Sequence, residues 1–139
     1  MEKQDSSGGV IECTVHGMPA GIGEPVFEKL DAVLAKAVMS IGAVKGVEIG
    51  DGFQAATSHG SINNDAFTCE NGSISKLTNH SGGILGGMSD GSDIVLRAAF
   101  KPTPSISQVQ QTVTTTSENI DLSIHGRHDP IIVPRAVVS

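Results

Sequence analysis

Residues 24–52 read Glu24-Pro25-Val26-Phe27-Glu28-Lys29-Leu30-Asp31-Ala32-Val33-Leu34-Ala35-Lys36-Ala37-Val38-Met39-Ser40-Ile41-Gly42-Ala43-Val44-Lys45-Gly46-Val47-Glu48-Ile49-Gly50-Asp51-Gly52. Pro25 suits the first helical position, and Val26, Leu30, Val33, Leu34, Ala37, Val38 and Ile41 recur at helical spacing. The spacing predicts a helix from Val26 to about Ile41, ended by Gly42. Ala32, Ala35 and Ala37 keep its other sides thin, so it can be covered on more than one side. Val44 to Ile49 then reads as a strand, closed by Gly50-Asp51-Gly52.

Working outward, residues 10–17 alternate apolar and polar side chains and end at Gly17, a second strand. Residues 18–23 form the loop between it and the helix. Residues 58–78 are polar and irregular, with turns at Asn63-Asn64-Asp65 and Glu70-Asn71-Gly72 and a short hairpin through residues 73–77. Residues 79–91 are rich in glycine. Residues 93–100 alternate into a strand that Lys101-Pro102 stops, and residues 108–117 fit an edge strand or a mobile loop. Ile131-Ile132-Val133 is apolar, and Ala136-Val137-Val138 reads as an interrupted element. One helix among several strands predicts an α+β fold.

The chain has 139 residues, enough for one domain, with 38% hydrophobic and 17% charged residues. A formal net charge of −6, only 4 Phe and no Tyr or Trp disfavour nucleic acid and anionic membranes as partners. Cys13 and Cys69, with no CxxC pair, read as two reduced thiols. The absence of a long apolar stretch or of a signal peptide at Met1-Glu2-Lys3-Gln4-Asp5 makes a soluble, cytoplasmic protein the expectation.

Three segments carry chemistry. Gly126-Arg127-His128-Asp129-Pro130 sets a fixed cation, an imidazole and a carboxylate between a chain swivel and a chain stop. It suits an anion plus a proton transfer, or is a plain solvated turn. Asn79-His80-Ser81-Gly82-Gly83-Ile84-Leu85-Gly86-Gly87 lets bare backbone approach an anion or flat ring, or another strand. It has neither GxxxxGK[ST] nor GxGxxG spacing. Lys101-Pro102-Thr103-Pro104-Ser105-Ile106 offers a cation and two hydroxyls on a stiff loop, fitting a phosphate or a rigid turn. His16, His59, His80 and His125 show no HxH or HxxxH spacing, so no metal is expected there, and they read as surface or satisfied histidines.

Taken together, these segments resemble chorismate synthase. Also matching are Asp5-Ser6-Ser7-Gly8-Gly9-Val10-Ile11-Glu12-Cys13, Gly21-Ile22-Gly23-Glu24-Pro25-Val26-Phe27-Glu28-Lys29-Leu30-Asp31 and Val44-Lys45-Gly46-Val47-Glu48-Ile49-Gly50-Asp51-Gly52-Phe53. Pro134-Arg135-Ala136 follows the last block. The resemblance implies a β-α-β sandwich with helices between two antiparallel sheets, here one sheet and part of the helical layer. It further implies a homotetramer that converts 5-enolpyruvylshikimate 3-phosphate to chorismate and phosphate with reduced FMN. By motif match, Lys101, Pro102, Thr103, Pro104 and Ser105 contact the FMN phosphate and ring edge, with Gly86 near it. Gly42 and Ala43 match another flavin-contacting position, Arg127 the arginine at flavin and substrate, and Asp129 the carboxylate serving flavin N5.

The family's GESHG loop, arginine-rich segment and RPGH loop do not occur here, and Arg97, Arg127 and Arg135 are the only arginines. Ser7, Ser81 and Ile131 also depart from the family pattern; alanine is usual at position 81 and cysteine at 131. Residues 1–139 are therefore expected to be one partial domain, the C-terminal portion without the N-terminal half and the last helical segment. The expectation is that this chain alone is inactive. An alternative expectation is a non-catalytic assembly module that associates through exposed apolar surface.

Overall fold

The structure is a computed structural model that describes residues 5–126 and 130–137. A three-stranded antiparallel sheet is the frame, built from β1 (Gly9–Val15), β2 (Val44–Ile49) and the central β7 (Ile94–Phe100). Between β2 and β7 lie a 3-10 turn (Gly52–Thr57), α2 (Gly60–Asn63), the hairpin β3 (Phe67–Glu70) with β4 (Ser73–Lys76), and the small hairpin β5 (Ile84–Leu85) with β6 (Met88–Ser89). The hairpin β8 (Gln110–Val113) with β9 (Asn119–Leu122) follows, and then the one-turn α3 (Val133–Ala136). The segment read as an edge strand or mobile loop is thus a paired strand. Asn71 and Gly72, both with positive φ, make the two-residue turn between β3 and β4.

Alternation decides which face of the sheet is covered. Ile94, Leu96, Ala98 and Phe100 point one way and are buried, while Val95, Arg97 and Ala99 point the other. The helix α1 (Leu30–Met39) lies on the buried face. Leu30 and Leu34 join Ile84 and Ile94 in one core cluster. Val38 and Ile41 join Val44, Ala98 and Phe100 in a second, which Ile132 and Ala136 close from the α3 side. The α+β expectation is what the structure shows: antiparallel sheets, the three-stranded one carrying α1, together with three two-stranded hairpins and a few short helices among the described residues.

The helix begins later than its apolar spacing predicts, at Leu30 rather than Val26. Glu24 and Glu28 exchange backbone hydrogen bonds, which closes residues 24–28 into a loop of their own. The Leu30 N–H donates to Gly87 O at 2.8 Å, so the glycine hairpin sets where the helix starts. Val26 and Phe27 are left 72% and 90% exposed, outside the helical face. Val33 and Ala37 are exposed too, so these residues cover α1 on one side only. Among the described residues no helix is long and apolar enough to cross a membrane.

Candidate functional site

Register brings distant segments to one end of the sheet. Phe100, the last residue of β7, lies opposite both Gly9 of β1 and Val44 of β2. Whatever follows Phe100 must therefore meet whatever precedes Gly9 and Val44. The Lys101 N–H donates to Ala43 O at 2.9 Å, tying the start of the proline loop to the corner after α1. Ala43 turns that corner at φ 71°, a conformation uncommon for a residue with a Cβ. Gly42 beside it has open space where a Cβ would stand.

On the other flank, the Ser6 hydroxyl donates to Thr103 O at 2.6 Å. Gly8 passes so close to Phe100 O and the Pro102 ring that any side chain there would overlap them. The Ser7 N–H donates to Pro130 O at 2.9 Å, so Pro130 reaches the same end. Arg127 and Asp129, with His128 between them, lie outside the described residues. Lys101, Pro102 and Pro104 are exposed, whereas Thr103 and Ser105 are half-buried. Lys101 makes no ion pair with a described residue. This end can present a cation and hydroxyls to an anion on a loop held at two points.

Gly86 is placed elsewhere. It sits at the tip of the β5–β6 hairpin, whose base adjoins the opposite end of β7, with Gly83 against Asp93 O and the Ile94 side chain. The tip is docked at the start of α1 through Gly87 O, and the Lys29 stem crosses the Gly87 backbone. A recess of about 460 Å³ opens there, lined by Lys29, Asp31, Ile49, Ser81, Ile84, Gly86 and Gly87. Seven residues of β7 separate the two ends, roughly 20 Å at strand rise. Lys101, Pro102, Thr103, Pro104, Ser105, Gly42 and Ala43 are thus gathered within one chain, and Gly86 is not.

Sequence reasoning passed over a buried polar cluster centred on Lys76. Lys76, at the end of β4, reaches inward with its side chain 2% exposed. Its ammonium lies within hydrogen-bond reach of Asp90 Oδ2 (2.6 Å), Ser81 Oγ (2.9 Å), Asn79 Oδ1 (3.2 Å) and Asp65 Oδ2 (3.3 Å), four acceptors that share its three N–H donors. Asp65 also accepts from the Thr78 and Ser81 hydroxyls and from the backbone N–H groups of His80 and Ser81. Burial by itself would raise the Asp65 pKa, but those hydrogen bonds outweigh it and hold the carboxyl far below its ordinary range. Asp90 is likewise raised by burial and lowered further by Lys76 and Ser92, with a net fall. His80, read as a surface or satisfied histidine, has its Nδ1 2.9 Å from Asp65 Oδ1. These residues lie in a polar stretch without periodicity, so their spacing carries no signal. No three His, Cys, Asp or Glu among the described residues are placed to hold a metal.

Comparison with known proteins agrees across the whole chain. The family described as chorismate synthase matches residues 1–139. A chorismate synthase of Lachnoclostridium phytofermentans is 70% identical over 135 residues, 96% of this chain and 37% of that protein. Those of Lachnospira eligens and Methanosarcina mazei are 67% and 60% identical over 138 and 137 residues, each covered to 38% of its length. A crystal structure of chorismate synthase superposes with a TM-score of 0.72 at 41% identity, covering 75% of this chain and 32% of that one. The chain therefore spans well under half the length of the curated relatives it matches.

Proposed function

This chain belongs to the chorismate synthase family, and from that premise we propose that it carries the flavin-phosphate edge of a chorismate synthase active site. The observation that supports this most is the convergence at the Phe100 end of the sheet. Residues 101–105, Gly42 and Ala43 meet there near Pro130, the residue that follows Asp129 in sequence. The surroundings fit an anionic phosphate. Lys101 is exposed without a described ion-pair partner, the loop is stapled by Ser6 and Ala43, and Gly42 leaves open space beside it.

Reduced FMN, when bound, supplies the electron-rich ring for the conversion of 5-enolpyruvylshikimate 3-phosphate to chorismate and phosphate. In this reading Lys101, Pro102, Thr103, Pro104 and Ser105 hold its phosphate and ring edge, and Gly42 and Ala43 border it. Arg127 contributes fixed positive charge toward the phosphate that leaves. With flavin bound, the Asp129 carboxylate would accept a proton at N5 once the assembled site excludes water. Gly86, at the opposite end of β7, would border the flavin held by a neighbouring copy in the assembly rather than the one held by its own residues 101–105. The protein's part is orientation, electrostatics and one proton position.

Titration of the 139-residue chain with FMN, read by quenching of flavin fluorescence, tests this. Lys101→Ala should weaken binding at least about tenfold, the worth of one charged hydrogen bond. Failure of the wild-type chain to bind, or indifference to Lys101→Ala, would refute it. The chain should bind flavin without turning over, since neither the GESHG nor the RPGH loop lies within these residues. Sustained chorismate formation by it with reduced FMN would contradict that part.

Exposed Phe27, Phe53 and Ile74 favour self-association, and a homotetramer is the proposed assembly. An oligomer in sedimentation that ignores flavin would favour the assembly-module reading instead.

A further inference from the structure

The hairpin that carries Gly86 is held from its base by one buried ammonium. Two of the four acceptors of Lys76, Asn79 and Ser81, lie on the entering chain, and Asp90 lies on the leaving chain. Asn79 ties the two together: its Oδ1 also accepts from Gly83 N–H at 2.8 Å, and its Nδ2 donates to Asp93 O at 2.9 Å. The Asp90 N–H donates to Gly83 O at 3.0 Å. Asp65 fastens the same entry from beneath through His80 and Ser81.

Burying Lys76, Asp65 and Asp90 at 2%, 3% and 6% exposure is a costly way to gain stability. Well-packed apolar side chains of similar volume commonly do as well or better. What the ion cluster adds is a single geometry, because each acceptor position is set by direction as well as distance. The segment so fixed turns at Gly86 and Gly87, with φ of 61° and 88°. Gly87 is packed on Lys29, yet nothing lies within 4 Å of where a Gly86 Cβ would stand. Bare backbone at Gly86 is therefore held rigidly beside the recess of about 460 Å³ and left uncovered by the described residues.

We infer that Lys76, acting with Asp65 and Asp90, is a positioning residue that holds the glycine hairpin so that the Gly86 backbone can meet a flat ligand at that recess. The identity of the ligand as the flavin ring rests on the function proposed above, whereas the holding of the hairpin does not. The test uses the 139-residue chain with Lys76→Met and the milder Asp90→Asn, which keeps the shape of the side chain. Amide hydrogen exchange across residues 82–91 should accelerate at least about tenfold in Asp90→Asn, with β1 and β7 amides unchanged. FMN should bind about tenfold more weakly. Ile11→Ala, in the other core cluster, should lower stability while leaving both readouts in place. Unaltered exchange at residues 82–91 in both variants would overturn the inference. Faster exchange with unchanged FMN affinity would overturn the positioning role. Absence of FMN binding by the wild type would overturn the flavin assignment, and exchange would still decide whether Lys76 holds the hairpin.

Discussion

Removing the Lys76 ammonium should be among the most damaging single changes in this molecule. Lys76→Met keeps the stem and deletes the charge, leaving Asp65 and Asp90 ionised and buried without a cation. Breaking a buried pair in this way costs about 3–5 kcal/mol, set against a total of about 5–15 kcal/mol for a domain. The loss should fall unequally on the two carboxylates. Asp65 retains the Thr78 and Ser81 hydroxyls and two backbone N–H donors at 2.8–2.9 Å. Asp90 loses its 2.6 Å contact at Oδ2 and keeps the Ser92 N–H on Oδ1. Neutralising Asp90 in the same background, Lys76→Met/Asp90→Asn, should therefore recover about half of the loss as favourable coupling. Asp65→Asn should rescue nothing. Each Asp65 oxygen accepts a backbone N–H, so either orientation of the amide sets its NH₂ against a donor. Urea unfolding at pH 7 reads all four proteins. A loss below about 1 kcal/mol for Lys76→Met, or no rescue by Asp90→Asn, would refute the reasoning.

The folded-state pKa values of Asp65 and Asp90 lie below the ordinary 3.8, so their contribution is complete above that value and is lost as pH falls through the folded values. Urea midpoints should therefore be flat from about pH 7 to 5 and fall below about pH 4. A midpoint unchanged at pH 3 would contradict this. Gly50→Ala should cost about 2–5 kcal/mol by thermal unfolding, because a Cβ there overlaps His80 O and Gly82 N at φ +56°. Gly42→Ala, with open space around it, should stay within about 0.5 kcal/mol, and the two together test whether glycine is needed by geometry. Ser6→Ala removes the bond to Thr103 O, and should cost about 1 kcal/mol and weaken FMN binding while leaving the exchange of residues 82–91 unchanged.

The Arg97 ladder shows how little of the open sheet face is legible in one dimension. Register places Arg97 between Glu12 and Glu48, and its guanidinium reaches Glu48 at 3.2 Å and Gly50 O at 3.1 Å. Its Nε is buried without a described partner, and nothing in the structure explains that. No spacing rule links positions 48 and 97, because the pairing is made by the sheet.

Much was nonetheless determined by sequence alone. Alternation marked β1, β2 and β7, helical spacing marked the Leu30, Leu34 and Val38 stripe, and Asn71-Gly72 marked a tight turn, because each depends on the backbone geometry of a few adjacent residues. The motif blocks pointed to the family, which the relatives bear out. Tertiary structure alone decided where α1 starts, because Gly87 O, not Pro25, supplies the partner of its first N–H. It also decided that Lys101 joins Ala43 and Thr103 joins Ser6 at one end of the sheet while Gly86 stands at the other. It alone revealed Lys76, whose partners lie 3 to 14 positions away in a polar stretch. Local patterns report which backbone conformation a residue prefers. Which side chains share one desolvated volume depends on long-range register, and that is settled only when the strands pair.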